Sequence, residues 1–191
     1  MEIDDIVREM TGGLEGGEAV ASIFQGVRDI PYGSVGSRDP MEVYKRNMGT
    51  CSGKHLLLTA LLEGLDLPVK HHLAVHRFAD LPRWTDYPQN LRELALSADG
   101  VPDYHHFIEV QMDGQWIRVD ATFDQGLEGC FVVNEWTGED MPLSVKPLEV
   151  YETTSPLEEK ESRLNSLDPG IQEAREQFLE AFTDWLQWLR D

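Results

Sequence analysis

The chain has 191 residues, 41% of them hydrophobic, and carries 35 acidic side chains against 16 basic ones, a net charge of −19. Such a surface repels phosphate rather than neutralising it, so nucleic acid and anionic membranes are excluded as partners. The length and hydrophobic share suit one domain over residues 1–191, and two cysteines are too few for a disulfide framework, so a cytoplasmic protein with free thiols is expected.

The N-terminal "MEIDDIVREM" lacks both the basic and the apolar region of a secretory leader and reads as a short helix stopped by Gly12 and Gly13. A second helix is predicted over Glu18–Asp29, with Val20, Ile23, Phe24 and Val27 on one face. After the loop "IPYGSVGSRDP", Asp39 as cap, Pro40 at the first position and Glu42 at the third start another helix, predicted to end at Gly49. "GTCSGKHLLLTALLEGLDLPVK" then opens a fourth helix capped by Thr50 and closed by Gly64. It is apolar nearly all round and therefore buried. "VKHHLAVHRF" is a strand, and residues 79–104 form an insertion with a short helix around Asn90–Leu96. A connection this long is more often functional than idle, so the insertion is expected to wall the site, with Trp84 and Tyr87 near it. "HHFIEVQMDGQWIRVDATFD" is a hairpin around Asp113-Gly114, and "CFVVNEW" is one more strand, burying Cys130. The core is expected over about residues 18–150. The tail is an amphipathic helix over about 168–190, striped by Ile171, Ala174, Phe178, Phe182, Trp185 and Leu189. Such a stripe serves packing or a contact with another protein. Helices, antiparallel strands and a last helix make an α+β layout.

A two-residue Asp-Gly loop pairs Met112 with Gln115 and, counting back, Glu109 with Arg118. With period-2 alternation, His105, Phe107, Glu109, Arg118 and Asp120 share one face. His106, Ile108 and Val110 take the other, which reads as core. His105 and Asp120 become diagonal neighbours, so His105 is the histidine a carboxylate can orient. Cys51 stands at a helix start, where unpaired N–H groups favour a thiolate, and its own N–H can serve an oxyanion. Ser52 and Gly53 leave room above the sulfur. Nucleophile, base and orienting carboxylate follow one another as Cys51, His105 and Asp120.

On these residues the sequence resembles the transglutaminase-like superfamily, a branch of the papain-like cysteine enzymes. The resemblance covers about residues 30–124: the helix after Cys51, His105 four residues before Glu109, then Trp116, and Asp120 before Ala121 and Thr122. It implies a transglutaminase-like/papain-like α+β fold with the nucleophile at the start of a buried helix packed on an antiparallel sheet. It also implies acyl transfer by a Cys51-His105-Asp120 triad on a peptide or protein substrate, most often as hydrolysis, with no cofactor. Many relatives carry a tryptophan upstream of the cysteine as second oxyanion donor. None precedes Cys51 here, and Tyr44 or Asn47 are the substitutes the sequence offers.

Other readings compete. A binding module could keep this fold without turnover. Cys51 and His55, one helical turn apart, could hold zinc with His105 or Asp120, but no CxxC or HxxxH pair supports a metal. His71, His72 and His76 read as surface or packing residues. His105→Ala is expected to remove turnover at little cost in stability, and His106→Ala to do the reverse.

Overall fold

The computed structural model describes residues 2–81 and 83–190 and begins with four helices, α1 (Ile3–Thr11), α2 (Gly16–Arg28), α3 (Pro40–Arg46) and α4 (Cys51–Glu63). The Asp39 carboxylate accepts the Glu42 N–H at 3.0 Å and Pro40 fills the first position, so α3 starts as the sequence predicts. It stops earlier than Gly49, because Asn47 takes a left-handed conformation (φ 48°) that its short polar side chain tolerates. There follow β1 (Val69–Arg77), α5 (Gln89–Ser97), β2 (Pro102–Met112), β3 (Gln115–Val119), β4 (Glu149–Thr153), α6 (Pro156–Asn165) and α7 (Pro169–Arg190).

The four strands form one antiparallel sheet in the order β3-β2-β1-β4. Met112 pairs with Gln115 and Glu109 with Arg118, the register expected of the Asp113-Gly114 loop. "CFVVNEW" is not a strand: Phe131 makes a single bridge to Glu128, and residues 132–137 have no regular structure. The edge it would need is taken, since at Arg118 the outer side of β3 bonds to Asp140 and Met141. Cys130 consequently lies half-buried in a turn. β4 and α6 were not expected. β4 is five residues long and mostly exposed, so its alternation carries little signal; α6 is charged, with Pro156 at its start as the one sequence cue.

The sheet divides two cores. On the Ile108 and Val110 face, α1, α2 and α4 pack Ile6, Val20, Ile23, Phe24, Leu57, Leu58 and Leu61. On the Phe107 and Ala74 face, α5 and α7 supply Leu91, Phe178, Phe182 and Leu186. The aromatic stripe of the tail therefore packs intramolecularly, although Trp188 stays exposed. Among the described residues no helix is long and apolar enough to cross a membrane.

Candidate active site

β3 ends at Val119, opposite Ile108, which leaves β2 from Phe107 back to Pro102 without a paired strand on that edge among the described residues. The first turn of α4 and the residues after β3 meet there. Thr50 is the N-cap of α4 but its side chain makes no capping bond, and among the described residues the Cys51 N–H has no acceptor. The donors of the first turn thus stay open beside the sulfur. Gly53 has a different task from the one expected: a Cβ there would come within 2.8 Å of Val43 Cγ2, so glycine lets α3 lie against α4.

His105 Nε2 donates to Asp120 Oδ2 at 2.8 Å, and the same carboxylate accepts the Ser144 N–H at 2.7 Å and the Thr122 N–H at 3.1 Å. With Nε2 committed, Nδ1 is the nitrogen left to face the Cys51 thiol, and the interaction of the two groups shifts both. Burial alone would raise the thiol, but the Lys160 ammonium, the hydrogen bond from His105 and the charge of its ring lower it to about 6. Burial alone would lower His105; the charge of Asp120 and its hydrogen bond lift the ring to about 10. Asp120 is held well below the carboxylate range, its burial outweighed by His105. Both shifts favour thiolate and imidazolium over the neutral pair. Cys51 is 5% exposed and lines a cleft of about 350 Å³ between the loop carrying Tyr32 and the helices α6 and α7.

The sequence pattern of the transglutaminase-like superfamily matches residues 4–121, more than half of the chain. The chain belongs to the transglutaminase-like superfamily. Two solved structures are similar over part of their length. One is a Cytophaga hutchinsonii protein provisionally named a cysteine protease, 20% identical, with a TM-score of 0.46 over 80% of this chain and 48% of that one. The other is a Parabacteroides distasonis protein provisionally named a protease, 17% identical, with a TM-score of 0.42 over 63% of this chain and 23% of that one. The chain thus spans about half of the first and about a quarter of the second. No curated protein matches it.

Within this transglutaminase-like site, His55 is a pin. Its Nε2 accepts the Ala121 N–H at 2.9 Å, which fixes the tautomer, so Nδ1–H donates to the Cys51 carbonyl at 2.8 Å. One neutral ring ties the segment of Cys51 to that of Asp120, and neither nitrogen is free for a metal. Lys54 does similar work one turn into α4: its ammonium, fully buried, donates to the carbonyls of Arg28, Ile30 and Thr122 at 2.7–2.9 Å. His71, His72 and His76 pack within the sheet; His71 Nδ1 lies 3.0 Å from His106 Nε2 and His72 Nε2 lies 3.1 Å from Glu109.

Sequence reasoning missed two side chains here. Lys160, on α6, is buried and donates to the Tyr104 carbonyl and, at 3.2 Å, to Asp103. A lone lysine in a charged helix carries no signal of that. Tyr32 lines the cleft with Cys51. Its loop is bound to the segment before Cys51, Gly33 N–H donating to the Gly49 carbonyl and Gly49 N–H to that of Pro31, both at 3.1 Å. Asp124 accepts the Tyr32 N–H at 2.9 Å, and Arg190 clamps both. Burial, then the nearby Cys51 charge, push its phenol well up, so it remains a donor. Tyr44 packs instead on the first core with its phenol toward Glu9, and Asn47 is exposed at the end of α3. The expected cleft wall also changes. Asp103, at the end of the 79–104 segment, lines it, but α6 and α7 supply most of it, while Tyr87 packs behind α7 on Phe178, Phe182 and Trp185. His105 itself is 2% exposed, so its loss would strand a buried carboxylate; the expectation of little stability cost does not hold.

Proposed function

We propose that the protein is a cysteine-dependent acyl-transfer enzyme that hydrolyses a peptide or amide bond through Cys51, His105 and Asp120. The observation that carries this reading is the 2.8 Å hydrogen bond from His105 to Asp120 beside a thiol that lines a cleft and whose pKa the His105 ring lowers. The thiolate attacks the carbonyl carbon, and the oxyanion takes the Cys51 N–H and the Tyr32 hydroxyl, the phenol standing in for the missing tryptophan. His105 gives its proton to the departing amine, leaving a thioester on Cys51. It then draws a proton from water, which attacks the thioester, and the thiolate leaves as the acid forms. Asp120 holds the ring through Nε2 and stabilises its charged form. His55 and Lys54 keep the two segments in place without touching substrate.

Alkylation by iodoacetamide near pH 7 tests the reading. Cys51 should react at least tenfold faster than the more exposed Cys130, and Asp120→Asn should slow Cys51 alone. Slow, equal labelling of both thiols would refute it and return the chain to a binding module that keeps the fold.

A further inference from the structure

We propose that the Cys51 cleft is a carboxylate-selective site in which Arg38 and Arg175 hold an acidic group of the substrate beside the nucleophile. The inference rests on the acyl-transfer reading above and adds a substrate class to it, acidic peptides.

The protein carries a net charge of −19, yet its cleft floor is cationic. A second cavity of about 180 Å³ adjoins the one that holds Cys51, and Arg38, Lys160 and Arg175 line both, so these three cations form the shared wall. One buried carboxylate, Asp103, serves two of them, at 3.2 Å from Lys160 and 3.1 Å from Arg175. Arg38 has no ion pair and no hydrogen bond among the described residues, and Arg175 Nε is buried without an acceptor. Three cations against Asp103 and the Cys51 thiolate leave one charge, that of Arg38, uncompensated at the cleft. The other acids that line the cavities, Glu161, Glu176, Glu180 and Asp184, are solvent-exposed, as Arg38 is, and among the described residues none forms an ion pair with Arg38 or Arg175.

Guanidinium groups match the two oxygens of a carboxylate and bind it through paired N–H donors, whereas a neutral amide offers one acceptor and no charge. Lys160 is already committed to the Tyr104 carbonyl and Asp103, and its charge is used on the Cys51 thiolate. The two arginines are therefore the groups left to hold substrate. A carboxylate on them would also satisfy the orphaned Nε.

Iodoacetate and iodoacetamide differ only in carboxylate against amide, so they probe the site without a known substrate. The ratio of their alkylation rates should be higher at Cys51 than at Cys130 in the same molecule. In Arg38→Gln that ratio should fall about fivefold, the weight of one opposite charge at contact in water, and in Arg38→Lys it should largely return. Arg38 is exposed and unpaired, so neither variant threatens the fold. A Cys51 ratio that Arg38→Gln leaves unchanged overturns the proposal. If Cys51 also fails to react with iodoacetamide, it is the acyl-transfer reading that falls. The source of the carboxylate is separated by protection of Cys51 with N-acetyl-trialanine, its C-terminal amide, and N-acetyl-Ala-Glu-Ala amide. The stronger protector assigns the site to a chain terminus or to an acidic side chain, and equal protection by both acids shows that either serves. Protection by the neutral amide equal to that of the acids overturns the proposal.

Discussion

Lys160→Met isolates the electrostatic part of the nucleophile's activation, because Lys160 touches neither His105 nor Asp120 in the hydrogen-bond chain. Its ammonium is the largest of the influences that lower the Cys51 thiol against its burial. A cation beside a thiolate stabilises the charged form, so removing it raises the pKa. An opposite charge within about 4–6 Å typically shifts a pKa by about 1–3 units, each unit being about 1.4 kcal/mol. Loss of Lys160 also frees Asp103, whose charge already pushes the thiol up, so the two effects act in the same direction and a rise of about one unit is expected. The pH profile of iodoacetamide alkylation reads the effect directly. In the wild type the rate should rise through about 6, the thiol value, and lose its ion-pair character through about 10, where His105 deprotonates. In Lys160→Met the lower limb should move to about 7, a several-fold loss of rate near pH 6 with little change above pH 8. Arg175 still pairs Asp103 at 3.1 Å, so the fold should tolerate the change at less than the ~3–5 kcal/mol of stranding a buried charge; a thermal melt checks this. A folded variant whose lower limb stays within about 0.3 unit of the wild type would refute the assignment of Lys160 as a thiolate-stabilising group.

Tyr32→Phe should lower kcat on a peptide substrate by about tenfold to a hundredfold, toward the loss typical of one oxyanion donor, while the alkylation profile of Cys51 keeps its midpoint; an unchanged kcat would remove Tyr32 from the oxyanion site. His106→Ala should cost about 1–3 kcal/mol of stability, since a fully buried ring bonded to His71 leaves a void beside His55 and strands the His71 nitrogen. Its Cys51 alkylation rate should stay near that of the wild type, and a loss of Cys51 reactivity in a folded His106→Ala protein would overturn the assignment of the two adjacent histidines to opposite faces.

Local sequence determined a good deal. Period-2 alternation and a two-residue Asp-Gly loop are short-range devices, and together they set the β2–β3 register and so brought His105 to the same face as Asp120. The position of Cys51 at a helix start was legible for the same reason: Asp39-Pro40 and Gly49-Thr50 are punctuation read within a few residues. The tertiary structure decided what depends on groups far apart in the chain. "CFVVNEW" has strand composition, but at Arg118 the outer side of β3 is bonded to residues 140 and 141 instead. β4 exists because β1 had an open side to offer, which nothing in "EVYET" announces. The insertion was assigned to the cleft by its place before His105, whereas packing left Asp103 there and set Tyr87 behind α7. Lys160 lies more than a hundred residues from Cys51, and Tyr32 owes its place to Asp124 and Arg190. Charge and hydrogen bonding act through space, so which lysine or tyrosine stands beside the sulfur is fixed only once both cores have packed against the sheet.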